Sequence, residues 1–184
     1  LNVAIVDANE KVARKLKISG GGKCNITNRY VEVKHFDGDT KLIKNVLDRF
    51  GKDEMLEFLD QNNIELELRK NRYYFCKRSS DDIINLLKKK SSFAKFYLNT
   101  KVQSVKKTDD IFEIQTDKGV LKSHAVVVAT GGESYKNIGA SDIGLKIAKS
   151  FNIDIREFTP ALVGLTVQKQ EFWMKELSGL SCYV

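Results

Sequence analysis

Apolar positions recur along the chain in two rhythms, short continuous or alternating runs and longer stretches at helical spacing. Leu1-Asn-Val-Ala-Ile-Val-Asp7 is a continuous apolar run closed by an acid, the pattern of a strand covered on both faces in a parallel sheet. A polar, basic stretch from Ala8 to Lys17 follows, then a loop from Ser19 to Asn28 that holds three consecutive glycines. Leu42, Ile43, Val46, Leu47 and Phe50 lie at helical spacing, Gly51 breaks the run, and Met55, Leu56, Phe58 and Leu59 predict a second helix behind Asp53. Ile64 to Leu68 alternates, Lys70-Asn71-Arg72 turns and Tyr73 to Phe75 returns, which predicts a hairpin. Ser80 is then placed to cap a helix containing Ile83, Ile84, Leu86 and Leu87.

Further on, Phe96 to Leu98 and Lys101 to Lys106 read as extended, Ile111 to Thr116 alternates, and Val120 to Lys122 follows an Asp117-Lys-Gly119 turn. These predict a small antiparallel meander. His124 to Ala129 is the second fully apolar run, expected as a strand, and it enters Thr130-Gly131-Gly132 directly. Asp142 can start a helix through Leu145, Ile147, Ala148 and Phe151, and an extended segment ends near Pro160. Alternating strands and helices without repeats or low-complexity linkers give an α/β fold class.

Composition narrows the picture. The 184 residues are 42% hydrophobic and 30% charged with one proline, which suits a folded globular chain. The net charge of +7 could draw a polyanion, but the positive residues are scattered along the sequence, and Lys88 to Lys90 suits the negative end of a helix dipole. Nucleic acid is therefore not an expected partner. Cys24, Cys76 and Cys182 form no CxxC unit, so no metal site is expected and a reducing cytoplasm fits. No apolar run approaches the roughly 20 residues of a membrane span, and no membrane partner is expected.

Ligands of open α/β sheets sit beyond the carboxyl ends of the parallel strands. Asp7 closes the first such strand, where a carboxylate can hold vicinal ribose hydroxyls or can simply cap a turn. Thr130, Gly131 and Gly132 close the second; glycines there let a cofactor approach the backbone, or form a plain tight turn. Gly20, Gly21 and Gly22, between Ser19 and Lys23, can turn successive N–H groups toward an anion or a flavin edge, or can be a flexible loop. The loop is not a P-loop, since GxxxxGK[ST] would need Gly at Lys17 and Ser or Thr at Cys24. Cys24 has no base beside it in sequence, His35 and His124 are scattered, and Trp173 with Phe172 reads as core or interface.

Arg14-Lys-Leu-Lys-Ile-Ser-Gly-Gly-Gly-Lys-Cys-Asn-Ile-Thr-Asn28, Val127-Val-Ala-Thr-Gly-Gly132 with Ser134-Tyr135, and Pro160-Ala-Leu-Val163 together resemble one family. It is the BaiN and aminoacetone-oxidase-like group of NAD(P)/FAD-dependent flavoproteins. The resemblance implies a partial Rossmann-like FAD domain over 1–161 with the start of an inserted β-rich domain over 162–184. It puts Asp7 on the adenosine ribose and Ser19, Gly20, Gly21, Gly22, Lys23, Cys24 and Asn25 along the flavin side. It also has Val102 offering backbone contacts to adenine and Thr130 to Gly132 passing the diphosphate and ribose. The family commonly has Gly-Ser/Ala-Thr-Gly-Asp-Gly where this chain has Gly139-Ala-Ser-Asp-Ile-Gly144.

The expected function is part of an FAD-dependent oxidoreductase that moves a hydride or electron pair between flavin and a small-molecule substrate, with NAD(P)H as a candidate donor. No catalytic residue is nominated. The rival expectation is a scaffold or interaction module that keeps the fold without the cofactor. The family's opening strand and Gly-x-Gly-x-x-Gly turn, which seat the pyrophosphate on a helix N-terminus, are expected upstream of Leu1, in missing segments of the parent chain. Residues 1–184 alone are accordingly expected to bind FAD weakly or not at all in a titration read by flavin fluorescence, and submicromolar binding would overturn this.

Overall fold

A computed structural model describes residues 2–160. Three small sheets and five α-helices share the described chain. The first sheet is a parallel pair, β1 (Ala4–Val6) with β5 (Lys95–Tyr97), in the register Ala4 to Lys95 and Val6 to Tyr97. A parallel pair needs a long crossover between its strands, and everything from Asp7 to Ala94 is that crossover.

Inside the crossover lie α1 (Arg14–Ile18), a 3-10 turn at Ser19–Gly22, β2 (Asn25–Asn28), α2 (Thr40–Arg49), α3 (Lys52–Gln61), β3 (Leu66–Arg69), β4 (Tyr73–Cys76) and α4 (Ser80–Lys90). The expected hairpin forms as β3 and β4, and β2 adds to it to give an antiparallel sheet in the order β2-β4-β3. Helix starts follow side-chain chemistry. Asp39 accepts from the N–H groups of Lys41 and Leu42 at 2.9 and 3.0 Å to open α2. The α4 cap is Ser79, which accepts from Asp81 N–H at 3.1 Å, and not Ser80, which is buried and donates to the Lys17 carbonyl at 3.2 Å. Likewise α3 opens at Gly51, whose N–H donates to Glu54 at 2.9 Å, two residues before Asp53.

The meander is as expected: β6 (Val102–Thr108), β7 (Ile111–Thr116) and β8 (Gly119–Ser123), followed by α5 (Ile143–Ser150). Phe96 to Leu98 belongs elsewhere, in the parallel pair as β5. The expected strand at His124 to Ala129 is absent. That segment pairs with nothing among the described residues, and Val127 is 89% exposed. An apolar run supplies the face of a strand, but only a neighbouring backbone completes its ladder. For the same reason β1, paired on one side only, is less covered than its sequence implies, with Ala4 exposed.

Two apolar clusters hold the described residues together. Cys24, Leu59, Cys76, Ile83 and Leu86 fill the first, with Leu16, Ile26, Met55, Phe58, Ile64 and Leu66 against them, joining α1, α3 and α4 to the second sheet. Val105, Ile114 and Ile147 fill the other, where α5 closes on the meander with Phe112 and Phe151 rings 6.1 Å apart. The inserted domain expected from 162 onward, with Phe172, Trp173 and Cys182, lies outside the described residues. Leu59, at 0% exposure, is the largest fully buried side chain among the described residues. Leu59→Ala is expected to lower unfolding free energy by about 2–5 kcal/mol in urea titration, while Leu42→Ala, at a site 62% exposed, changes it by about 0.5 kcal/mol or less.

Candidate nucleotide site

Asp7 follows the last residue of β1, and the ladder continues through it. Its N–H donates to the Tyr97 carbonyl at 3.0 Å, and its own carbonyl accepts from Thr100 N–H at 3.0 Å. The carboxylate is therefore fixed at the carboxyl end of both parallel strands. Its Oδ1 accepts from the Asn9 backbone and side-chain amides at 2.9 and 3.0 Å, while among the described residues no hydrogen bond reaches Oδ2. One oxygen shapes the loop and the other is left to accept from a hydroxyl.

The turn so formed meets the segment after β8. Asn9 lies against Gly139, where a Cβ would fall 2.5 Å from the Asn9 side-chain nitrogen and φ is +100°. Arg14 donates to Asn9 Oδ1 at 2.8 Å, and Lys15 Nζ sits 3.8 Å from the centre of the Tyr135 ring. Thr130 packs its hydroxyl on Gly144 at the start of α5, and Gly132 faces the Phe158 ring. Gly131, at φ +68°, has open space where a side chain would stand. Val102 opens β6 two residues beyond Thr100, opposite Thr116, and its side chain packs on the meander cluster. The sequence offered no sign of Asn9 or of its contact with Gly139, because that contact joins segments far apart along the chain.

The triple-glycine loop sits at the other end of α1 and is anchored at its flanks. The Ser19 hydroxyl accepts from Asn25 N–H at 3.3 Å, and Cys24 N–H donates to the Ser19 carbonyl at 3.0 Å. A Cβ on Gly20 would come within 2.6 Å of the Phe75 ring and 2.9 Å of the Asn25 nitrogen, so Gly20 is required by packing as well as by its φ of +57°. Gly21 meets nothing, and Gly22 only the Lys17 carbonyl at 4.0 Å. The bared backbone of the loop is therefore Gly21 and Gly22.

Lys23 reaches toward Glu67 at 3.4 Å. Arg69 foremost, with Lys23, holds the Glu67 carboxyl below its usual range. Cys24, at 1% exposure, lies in the core with Cys76, so its contribution to any ligand is backbone. Burial, reinforced by the neighbouring Cys24, pushes the Cys76 thiol above its ordinary range, which suits a packing role and not a nucleophile. Among the described residues no cluster of His, Cys, Asp and Glu could hold a metal ion, and no helix is long and apolar enough to cross a membrane.

A parallel pair with a fixed terminal carboxylate and glycine-lined loops agrees with what comparison with known proteins finds. The family described as HI0933-like protein Rossmann domain matches residues 1–182. The chain belongs to that family. Among curated relatives, the ribosomal RNA dihydrouridine synthase of Escherichia coli (strain K12) is 30% identical over 91% of this chain and 42% of its own length. The protein of the same name from Haemophilus influenzae is 27% identical over 98% of this chain and 47% of its own. A 3-dehydro-bile acid delta(4,6)-reductase of Clostridium scindens is 28% identical over 92% of this chain and 42% of its own. The chain thus spans less than half the length of these relatives, all of them enzymes by name. Membership bears out the flavoprotein resemblance and the Rossmann-like α/β class.

The loop geometry separates two glycines that the sequence treats alike. Gly20→Ala should cost about 2 kcal/mol or more through overpacking and left-handed strain together, and Gly21→Ala about 1–2 kcal/mol through strain alone. Equal losses for the two variants in chemical denaturation would mean that the Phe75 contact is not there.

Proposed function

We propose that this chain is part of an FAD-dependent oxidoreductase and holds the ribose and flavin sides of the cofactor. The observation that carries the reading is the Asp7 carboxylate, pinned at the ends of β1 and β5 with one oxygen unshared, in a chain of the HI0933-like Rossmann family. FAD fits the residues present. Oδ2 of Asp7 can accept from ribose, Gly131 and Gly21 leave backbone open where side chains would obstruct, and the Val102 main chain, two residues beyond the Thr100 that bonds Asp7, is the candidate contact for the adenine. The bound flavin would supply hydride or electron-pair transfer, and the protein would position it.

The chain's own groups act by holding geometry. Asn9 and Arg14 orient the Asp7 turn, and Ser19 with Gly20 fixes the loop so that Gly21, Gly22 and the Asn25 side chain can meet the flavin edge. NAD(P)H as donor, a cytoplasmic setting and a domain division near 161 belong to the same proposal. A small-molecule substrate fits the bile-acid reductase among the relatives. A second reading, a base within ribosomal RNA, is favoured by the two dihydrouridine synthases, one of them 30% identical.

The full-length parent, purified, is expected to show the visible absorption bands of bound flavin; a colourless protein favours the scaffold reading. Asp7→Asn keeps the size of the side chain and removes its charge. It should weaken FAD binding about 10- to 150-fold, as expected for losing one charge-assisted hydrogen bond of about 1.5–3 kcal/mol, with the urea midpoint little changed. Unaltered FAD affinity in Asp7→Asn would remove Asp7 from the site.

A further inference from the structure

Folding gathers cations that the sequence scatters. The β3–β4 turn presents Lys70, Asn71 and Arg72, and the residue after β2, Arg29, lies against them. Arg29 N–H donates to the Arg72 carbonyl at 2.7 Å, and its guanidinium donates to the Asn71 side-chain oxygen. Arg29, Lys70, Asn71 and Arg72 are all exposed. Neighbouring cations are neutralised, Arg69 by Glu67, Lys77 by Glu65 and Arg78 by Asp82, whereas among the described residues Arg29, Lys70 and Arg72 enter no ion pair.

Aromatic rings stand among these charges. The Arg29 guanidinium lies 5.9 Å from the centre of the Tyr30 ring, and that of Arg72 lies 5.4 Å from the Tyr73 ring. Tyr30 is 52% exposed and so has ring surface to offer. The turn itself is held in a costly shape. Lys70 and Asn71 both have φ near +50°, and a lysine there is strained where glycine or asparagine would not be. Fold stability does not account for a lysine at that position.

We propose that this corner, Arg29, Lys70 and Arg72 with Tyr30 and Tyr73, is a docking surface for single-stranded RNA. The cations take successive phosphates, releasing their counterions, and Tyr30 takes the face of an unpaired base. A duplex would keep its bases stacked away from the rings. The choice of RNA over another polyanion rests on the ribosomal RNA reading of the substrate; the gathering of charge and rings does not.

Fluorescence anisotropy of a short labelled single-stranded RNA, over a salt series with the full-length protein, tests the surface. The triple variant Arg29→Ala, Lys70→Ala, Arg72→Ala should weaken binding and flatten the slope of log affinity against log salt by about 2, at about 0.7 per phosphate contact. Tyr30→Leu should weaken binding about 5- to 150-fold with the slope unchanged, and Tyr30→Phe should keep it. Lys88→Ala, Lys89→Ala, Lys90→Ala removes the same charge from the end of α4 and should change neither. Equal effects from the two triple variants, no RNA binding by the parent, or stronger binding to phosphatidylserine vesicles than to RNA would each overturn the proposal. Flavin absorbance, read on the same samples, keeps the two readings apart. A coloured protein that ignores RNA sinks only the docking surface, and a colourless one that binds RNA through these residues sinks only the oxidoreductase.

Discussion

Backbone hydrogen bonds that run past the strand ends of the parallel pair are the constraint on which the candidate site depends. β1 is only three residues long, too short to fix a side chain beyond it by packing alone. The ladder continues nonetheless, through Asp7 N–H to Tyr97, Thr100 N–H to Asp7 and Asn99 N–H to the Asn9 carbonyl. Those bonds fix the turn in which Oδ1 of Asp7 is used up and Oδ2 is not. Because the turn is fixed, Asn9 can be a wall against which Gly139 packs. Two distant parts of the chain thereby meet at one sheet end without sharing an apolar core.

The cores explain why the site lies where it does. One cluster ties the second sheet to α1, α3 and α4 and the other ties α5 to the meander; Asp7 lies between β1 and α1, and Thr130 to Gly132 lies between β8 and α5. The triple-glycine loop shows the same division of labour on a smaller scale. Cys24 is buried in the first cluster and Gly20 is pressed on Phe75, so the loop is held at both ends while its middle remains bare. A floppy glycine loop would lose entropy on meeting a ligand; a clamped one has lost most of it in folding.

Period made most elements legible. The spacing of Leu42, Val46 and Phe50 and that of Ile83, Ile84 and Leu86 is local, and so are the turns at Lys70–Arg72 and Asp117–Gly119; each could be read without knowing what lies opposite. β2 could not, because Asn25-Ile-Thr-Asn28 is polar at three of its four positions and becomes a strand by pairing with β4. His124 to Ala129 failed in the reverse direction: the apolar run was there and no partner strand was, among the described residues. The helix starts slipped by one or two residues where adjacent groups could all serve as caps. For the site, Asp7 and the glycines were visible because strand ends and glycine runs are sequence features. Asn9, its contact with Gly139 and the distinction between Gly20 and Gly21 were not, since each depends on what a residue far away in sequence touches.

Charge gives the sharpest case of that limit. Along the sequence Arg29 stands more than 40 residues from Asn71, a separation that the hydrogen bond between them closes. Scattered lysines and arginines argue against a nucleic-acid surface only if they stay scattered, and a sheet in the order β2-β4-β3 brings the end of β2 to the β3–β4 turn. Acidic neighbours then decide what the cluster can do. Glu65, Glu67 and Asp82 neutralise the cations on the flanks and none of those at the tip. Three unpaired charges at one corner repel one another and weaken the fold slightly, and the strained φ of Lys70 adds to that cost. An anion bound at the tip would relieve the repulsion. The unpaired charge thus has an account in a polyanion and none in the packing of the chain.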